Sequence, residues 1–238
     1  IKYRLGLSAT IDRHNDESGT AALSGYFGIK CIVYSLKDAI DSQMLTRYYY
    51  YPVLTYLDQD ELSEYLLITR QLAQAIRKKN GKPVLTEYAK QLLIKRSRII
   101  AGAKEKLPAL QRQIAPYVDD KHILVYCGAT TVHNEDDEDF GKRQIDLVAE
   151  LLGNVLNMRV GRFTSQESAQ ERTQIREAFA EGNALQALVA IKCLDEGVNI
   201  PSIKTAFILA SSTNPKEYIQ RRGRVLRKFP GKDFAIIY

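Results

Sequence analysis

Near its end the chain carries Gln220-Arg221-Arg222-Gly223-Arg224-Val225-Leu226-Arg227, a run dense in guanidinium groups. If this run is helical, Arg224 and Arg227 stand three residues apart and leave one helix face together. Guanidinium groups are planar and permanently charged, which suits the spread charge of a phosphoryl group in transfer. A solvated basic helix is the plainer alternative, but Val225 and Leu226 interrupt the basic set. Gly223 in a helix interior costs about 1 kcal/mol relative to alanine. A glycine retained at that cost suggests that something approaches the backbone closely.

Two further segments could contribute to the same chemistry. Cys193-Leu194-Asp195-Glu196-Gly197-Val198-Asn199-Ile200-Pro201 follows the apolar run Leu185–Ile191. Ligands bind beyond the carboxyl ends of strands in parallel sheets, and a glycine there admits a phosphate or ribose close to the backbone. Leu5-Gly6-Leu7-Ser8-Ala9-Thr10 reads as an apolar strand ending in small hydroxylated residues. Ser-Ala-Thr alone is a common tripeptide; the order of the three segments is the stronger signal.

The elements that must position these residues alternate regularly. His122–Cys127, Met158–Phe163, Leu185–Ile191, Thr205–Ala210 and Phe234–Tyr238 are short apolar runs that suit buried strands. Between them Ile145, Val148, Ala149, Leu152 and Leu156 recur at helical spacing, and Gln166–Glu181 turns Ile175, Ala178 and Phe179 inward. Asn214-Pro215 opens a helix running to about Arg227, with proline in the first turn where its missing N–H costs nothing. Strands alternating with helices of this length give an α/β fold, a parallel sheet covered on both faces.

The region before it has a different texture. Ser35 to about Gln43 reads as a short helix, and Tyr48-Tyr49-Tyr50-Tyr51-Pro52-Val53-Leu54 as a strand that buries two tyrosines and exposes two. Residues 60–114 are charged and helical, interrupted near Asn80-Gly81-Lys82-Pro83. This stretch reads as a helical insertion. The acidic run Asn134–Asp139 reads as a solvated loop, because contiguous carboxylates repel and rarely converge on a cation.

Composition narrows the partners. With net charge +6 and a pI near 9.1, the chain favours polyanions, since lysines and arginines that neutralise phosphates release condensed counterions. No apolar run reaches the roughly 18–20 residues needed to span a bilayer, so no membrane role is expected. Cys31, Cys127 and Cys193 lie far apart and form no metal-type pair, and His14, His122 and His133 lack ligand spacing. The expected setting is reducing and cytoplasmic. Ile1 and the apolar Phe234–Tyr238 run read as internal points of a longer protein.

In series these segments resemble the superfamily-2 helicases and translocases over nearly the whole chain. Leu7-Ser8-Ala9-Thr10 is similar to motif III, and Ile123–Gly128 to motif IV. Arg162-Phe163-Thr164-Ser165 with Glu171-Arg172 is similar to the segment that follows motif IV. Asp195–Pro201 resembles motif V, and Gln220–Arg227 resembles motif VI. Ala39-Ile40, Tyr49-Tyr50-Tyr51-Pro52 and Arg98-Ile99-Ile100-Ala101 look like the group of restriction-type and repair-type DNA translocases.

The resemblance implies a RecA-like sheet of the P-loop NTPase type with a helical insertion. Residues 1–35 would be the tail of a first lobe, 36–118 a lead-in strand and insertion, and 119–238 a second lobe. Arg224 and Arg227 would be arginine fingers reaching the γ-phosphate of ATP, with Gln220 linking the nucleotide to Ser8 and Thr10. Asp195, Gly197 and Asn199 would lie near the ribose and the lobe interface. The family usually has aspartate where Asn199 stands; asparagine keeps an acceptor and loses the charge. Gly128, Thr164, Ser165 and Lys192 would meet the nucleic-acid backbone, DNA before RNA, in contacts that position without reading sequence.

No Gly-x-x-x-x-Gly-Lys-Ser/Thr, Asp-Glu-x-His or Asp-Glu-Ala-Asp occurs in the sequence. ATP and Mg2+ would therefore be held mainly by the first lobe, and this chain alone is expected to hydrolyse no ATP. A non-catalytic nucleic-acid-binding module and the motor part of a restriction endonuclease are the alternatives.

Overall fold

A computed structural model describes residues 4–8, 11–13, 16–79, 82–128, 144–164, 166–191, 200–210 and 215–238, with backbone alone at 77–79, 82–83, 215–218 and 220. Six parallel strands form one sheet: β1 (Arg47–Tyr50), β4 (Ile123–Cys127), β5 (Val160–Phe163), β6 (Ala187–Ile191), β7 (Thr205–Ile208) and β8 (Phe234–Ile237). They lie in the order β1-β8-β7-β4-β6-β5.

Strand periodicity divides the core in two. On β4, Leu124 and Tyr126 face one side while Ile123, Val125 and Cys127 face the other; on β6, Leu188 and Ala190 oppose Ala187 and Val189. The first face is covered by α7 (Ala169–Glu181) through Phe179 and by α8 (Pro215–Val225) through Val225, with the adjoining Leu226. The second is covered by α5 (Lys106–Ile114) through Leu110 and Ile114, and by α6 (residues 144–150) through Ile145 and Val148. Helix α6 runs on into a π-helical turn, Leu151–Val155. Strands buried on both faces explain why the sequence shows continuous apolar runs rather than alternation.

Ahead of the sheet lie α1 (Glu17–Phe27) and α2 (Leu36–Asp41). The stretch expected to be an insertion contains α3 (Gln59–Ala75) packed on α4 (Glu87–Gly102) through Ile68, Leu72, Ala89 and Leu92. What separates them is an antiparallel hairpin, β2 (Arg77–Lys79) with β3 (Lys82–Val84). Lys106 at the start of α5 donates to Ala101 O at 3.3 Å and Leu209 O at 2.6 Å, fastening the insertion to the sheet. Burial pushes that amine down to about 8.

Three expectations change. Arg4–Ser8 join no strand of either sheet, because a strand needs a neighbour to hydrogen-bond and none lies there among the described residues. Of the four tyrosines, Tyr48 is half-buried and Tyr49, Tyr50 and Tyr51 are exposed, since β1 is an edge strand paired only with β8. Helix α8 stops at Val225, so Arg227 lies beyond it, in a bridge with Leu45. Helical spacing therefore does not put Arg224 and Arg227 on one face. Leu226 N–H still donates to Arg222 O at 3.1 Å, while its carbonyl accepts from Thr46 N at 2.8 Å, alongside the approach to β1.

Candidate nucleotide and nucleic-acid interface

Helix α8 is held to the sheet by its first arginine as well as its apolar residues. Arg221 is 5% exposed, with its guanidinium 4.5 Å from the centroid of the buried Tyr126 ring on central strand β4. Val225, four residues on, is fully buried beside Leu226. Arg222 donates to Tyr48 Oη at 3.2 Å, tying the helix to β1. Those contacts leave Gly223 and Arg224 half-buried, with no atom of the described residues within 4 Å of where a Gly223 Cβ would sit. Arg227 is likewise half-buried.

Ile200 and Ile203 are buried in the same cluster as Val225 and Leu226. The exit of the segment 195–201 thus packs against the end of the arginine helix. Lys232 bridges the two: it is 6% exposed and donates to Val225 O at 2.5 Å, Arg227 O at 2.9 Å and Pro201 O at 3.1 Å. Burial, with Lys204 nearby, lowers its pKa to about 8.

A second group lies at the carboxyl edge of the sheet. Register pairs Cys127 with Ile191 and Phe163 with Ala190, so Gly128 and Thr164 leave neighbouring strands of the sheet at one edge, where Ile191 ends β6. Gly128 N–H donates to Gln144 Oε1 at 2.9 Å, and Gln144 Nε2 donates to Ala101 O at 2.8 Å. Glycine is required at 128 by the chain itself: an added Cβ would sit 2.7 Å from Ala210 Cβ. Thr164 directs its N–H (2.6 Å) and hydroxyl (2.9 and 3.1 Å) to the Glu167 carboxylate, while its carbonyl accepts from Arg172 at 3.0 Å. Two expected phosphate contacts are therefore engaged within the chain, by Gln144 and Glu167.

Other expected residues are placed only in part. Gln220 lies on α8 by its backbone. Ser8 is exposed. Thr10, Ser165, Lys192, Asp195, Gly197 and Asn199 lie outside the described residues. Cys127 is buried on β4 and forms no disulfide. Among the described residues no acidic, histidine or cysteine group could hold a metal ion, and no helix is long and apolar enough to cross a membrane.

Sequence reasoning missed Gln144, Glu167, Lys232 and the inward role of Arg221. The last was readable, since Arg221 and Val225 share a helix face. Lys232 was not, because its acceptors come from segments distant in sequence.

A six-stranded parallel sheet with helices on both faces and an arginine helix against it defines a RecA-like lobe. The helicase conserved C-terminal domain family matches residues 105–229, more than half of the chain. The chain therefore belongs to the helicase conserved C-terminal domain family. It is 32% identical over 65 residues to the DNA 3'-5' translocase XPB2 of Sulfurisphaera tokodaii, a match covering 27% of this chain and 15% of that protein. In fold it is similar to the C-terminal part of the Fun30 ATPase domain (TM-score 0.56, 14% identity, 81% of this chain and 85% of that one). It is also similar to a fragment of an HsdR subunit of a type I restriction enzyme from Vibrio vulnificus YJ016 (0.54, 19%, 95% and 37%) and to the Sulfolobus solfataricus SWI2/SNF2 ATPase C-terminal domain (0.52, 15%, 80% and 78%).

Proposed function

We propose that this chain is the second lobe of an ATP-driven DNA translocase or helicase, whose Arg224 and Arg227 act on the γ-phosphate of ATP held by a first lobe of the same protein. One observation carries the reading. Arg221, Val225 and Leu226 face the chain's own core, whereas Gly223 meets open space among the described residues. Among the described residues, then, nothing crowds the backbone beside Arg224, close to Ile200 and Pro201. Guanidinium groups placed there would stabilise charge on the transferring phosphoryl group.

In this reading Gln220 links the nucleotide to Ser8 and Thr10, and Asp195, Gly197 and Asn199 lie toward the ribose. Magnesium would be held mainly by acidic residues of the first lobe and would neutralise the ATP phosphates. Gly128, Thr164, Ser165 and Lys192 meet a nucleic-acid backbone along the carboxyl edge; Gly128 and Thr164 would exchange Gln144 and Glu167 for phosphate oxygens. The basic net charge and the DNA-translocase relative favour DNA. Residues 1–35 would belong to the first lobe. Their apolar side chains support this: Leu5, Leu7, Ile29, Ile32 and Val33 are 76–89% exposed.

The test is steady-state ATP hydrolysis by the full-length protein with single-stranded DNA, duplex DNA and RNA compared. Hydrolysis stimulated most by DNA and abolished in Arg224→Ala and Arg227→Ala is expected. Hydrolysis untouched by both substitutions, or absent with every nucleic acid, would leave a non-catalytic binding module as the better account.

A further inference from the structure

We propose that Lys232 is a positioning residue: its ammonium group locks the end of α8, which bears Arg224 and leads into Arg227, to Pro201 at the exit of the segment 195–201. The inference rests on the reading of those arginines as nucleotide-facing.

Three hydrogens and three acceptors match. An ammonium donates three hydrogen bonds and accepts none, and Lys232 Nζ lies within 3.1 Å of three carbonyl oxygens, those of Val225, Arg227 and Pro201. A cation at a helix C-terminus satisfies orphan carbonyls and opposes the helix dipole. Capping alone does not require a buried lysine, because a surface side chain can cap and a buried amine is costly to desolvate. The bond to Pro201 O goes beyond capping, since it joins a second segment to the helix end.

Other bonds make the joint stiff. Leu226 O accepts from Thr46 N at 2.8 Å, so the successive carbonyls of Val225, Leu226 and Arg227 are each engaged, two by Lys232 and one by the approach to β1. On the far side of the joint, Ile200 and Ile203 are buried against Val225 and Leu226. The backbone bearing both arginines and the exit of the segment 195–201 thus move as one unit. Removing the amine frees two helix-end carbonyls and the tie to Pro201, while the apolar packing remains. Misplacement of a catalytic group by about 1 Å can lower a rate by about 100-fold.

The test uses Lys232→Met and Lys232→Arg in the full-length protein, alone and combined with Arg224→Ala. Lys232→Met should lower kcat for ATP hydrolysis by about 10- to 100-fold, with nucleic-acid affinity and the KM for ATP changed by less than about threefold. Lys232→Arg, which keeps the charge on a longer group, should fall between Met and wild type, and it carries the test if Lys232→Met does not fold. In the Lys232→Met background, Arg224→Ala should cost far less than in wild type, because residues acting as a unit are non-additive. A kcat within twofold of wild type in both Lys232 variants, or losses that simply multiply, overturns the proposal while leaving the arginine reading intact. Full activity in Arg224→Ala itself removes the arginine reading and this inference with it.

Discussion

The guanidinium of Arg221 lies 4.5 Å from the centre of the Tyr126 ring, joining the first arginine of α8 to the central strand of the sheet. Both residues are buried, at 5% and 1% exposure. Within one basic run, then, Arg221 anchors the helix while Arg224 is half-buried beside Gly223, whose missing Cβ would meet no atom of the described residues within 4 Å. Arg221→Ala should therefore destabilise this lobe by about 2 kcal/mol, the scale of a desolvated cation–π contact. Arg224→Ala should cost clearly less. Urea unfolding of the isolated chain checks both, and equal losses would contradict the division.

Gly128 should tolerate no side chain for reasons internal to the fold. The Gly128→Ala methyl would meet Ala210 Cβ at 2.7 Å, and overpacking of this kind costs about 1–3 kcal/mol. Adding Ala210→Gly should restore most of the loss in thermal unfolding. Failure of that rescue would mean that the loss comes from Gln144 or Ala101, the other neighbours of the added methyl, rather than from Ala210.

His122 should make the lobe acid-sensitive. Burial holds its pKa below the ordinary histidine value, helped by Lys204, Lys121 and Lys232, while the hydrogen bond from the ring to Ala180 O at 3.0 Å acts in the other direction. Its contribution is intact above about pH 6.5, where both states are neutral; as pH falls below that, the unfolded chain takes up a proton first and stability drops. His122→Asn, chosen because the residue has φ of +64°, should flatten this loss in denaturation curves collected between pH 7 and 5. An unchanged slope would assign the effect elsewhere.

Exposed apolar residues before the sheet predict self-association of the isolated chain. No residue of α1 is buried, and Leu5, Leu7, Ile29, Ile32 and Val33 face solvent. Sedimentation velocity should show mass growing with concentration, and truncation before Ser35 should reduce it. A sedimentation profile that stays monomeric at high concentration would count against the assignment of residues 1–35 to a first lobe.

The sheet was legible because strands buried on both faces leave long apolar runs, as at Ile123–Cys127 and Ala187–Ile191, and because Pro215 marks a helix start. Arg224 was legible as a member of a motif. Its neighbours' partners were not: the helix face shared with Val225 turns Arg221 inward, but only the third dimension puts it on Tyr126 and Arg222 on Tyr48. Lys232 follows Pro230-Gly231 with nothing beside it in sequence to mark it, since its acceptors belong to residues 201, 225 and 227. Helix α8 ends two residues before Arg227, where the chain meets Leu45 and Thr46, residues far back in the sequence.

Single-turnover hydrolysis of ATP by the full-length protein, with ATP binding measured separately, tests the account at its centre. A group that meets charge arising only in the transition state affects the chemical step far more than binding. Arg224→Ala should bind ATP within about threefold of wild type and hydrolyse it about 1,000-fold or more slowly, the range expected of an arginine finger. Weakened binding with an unchanged hydrolysis rate, or wild-type behaviour in both measurements, would contradict it.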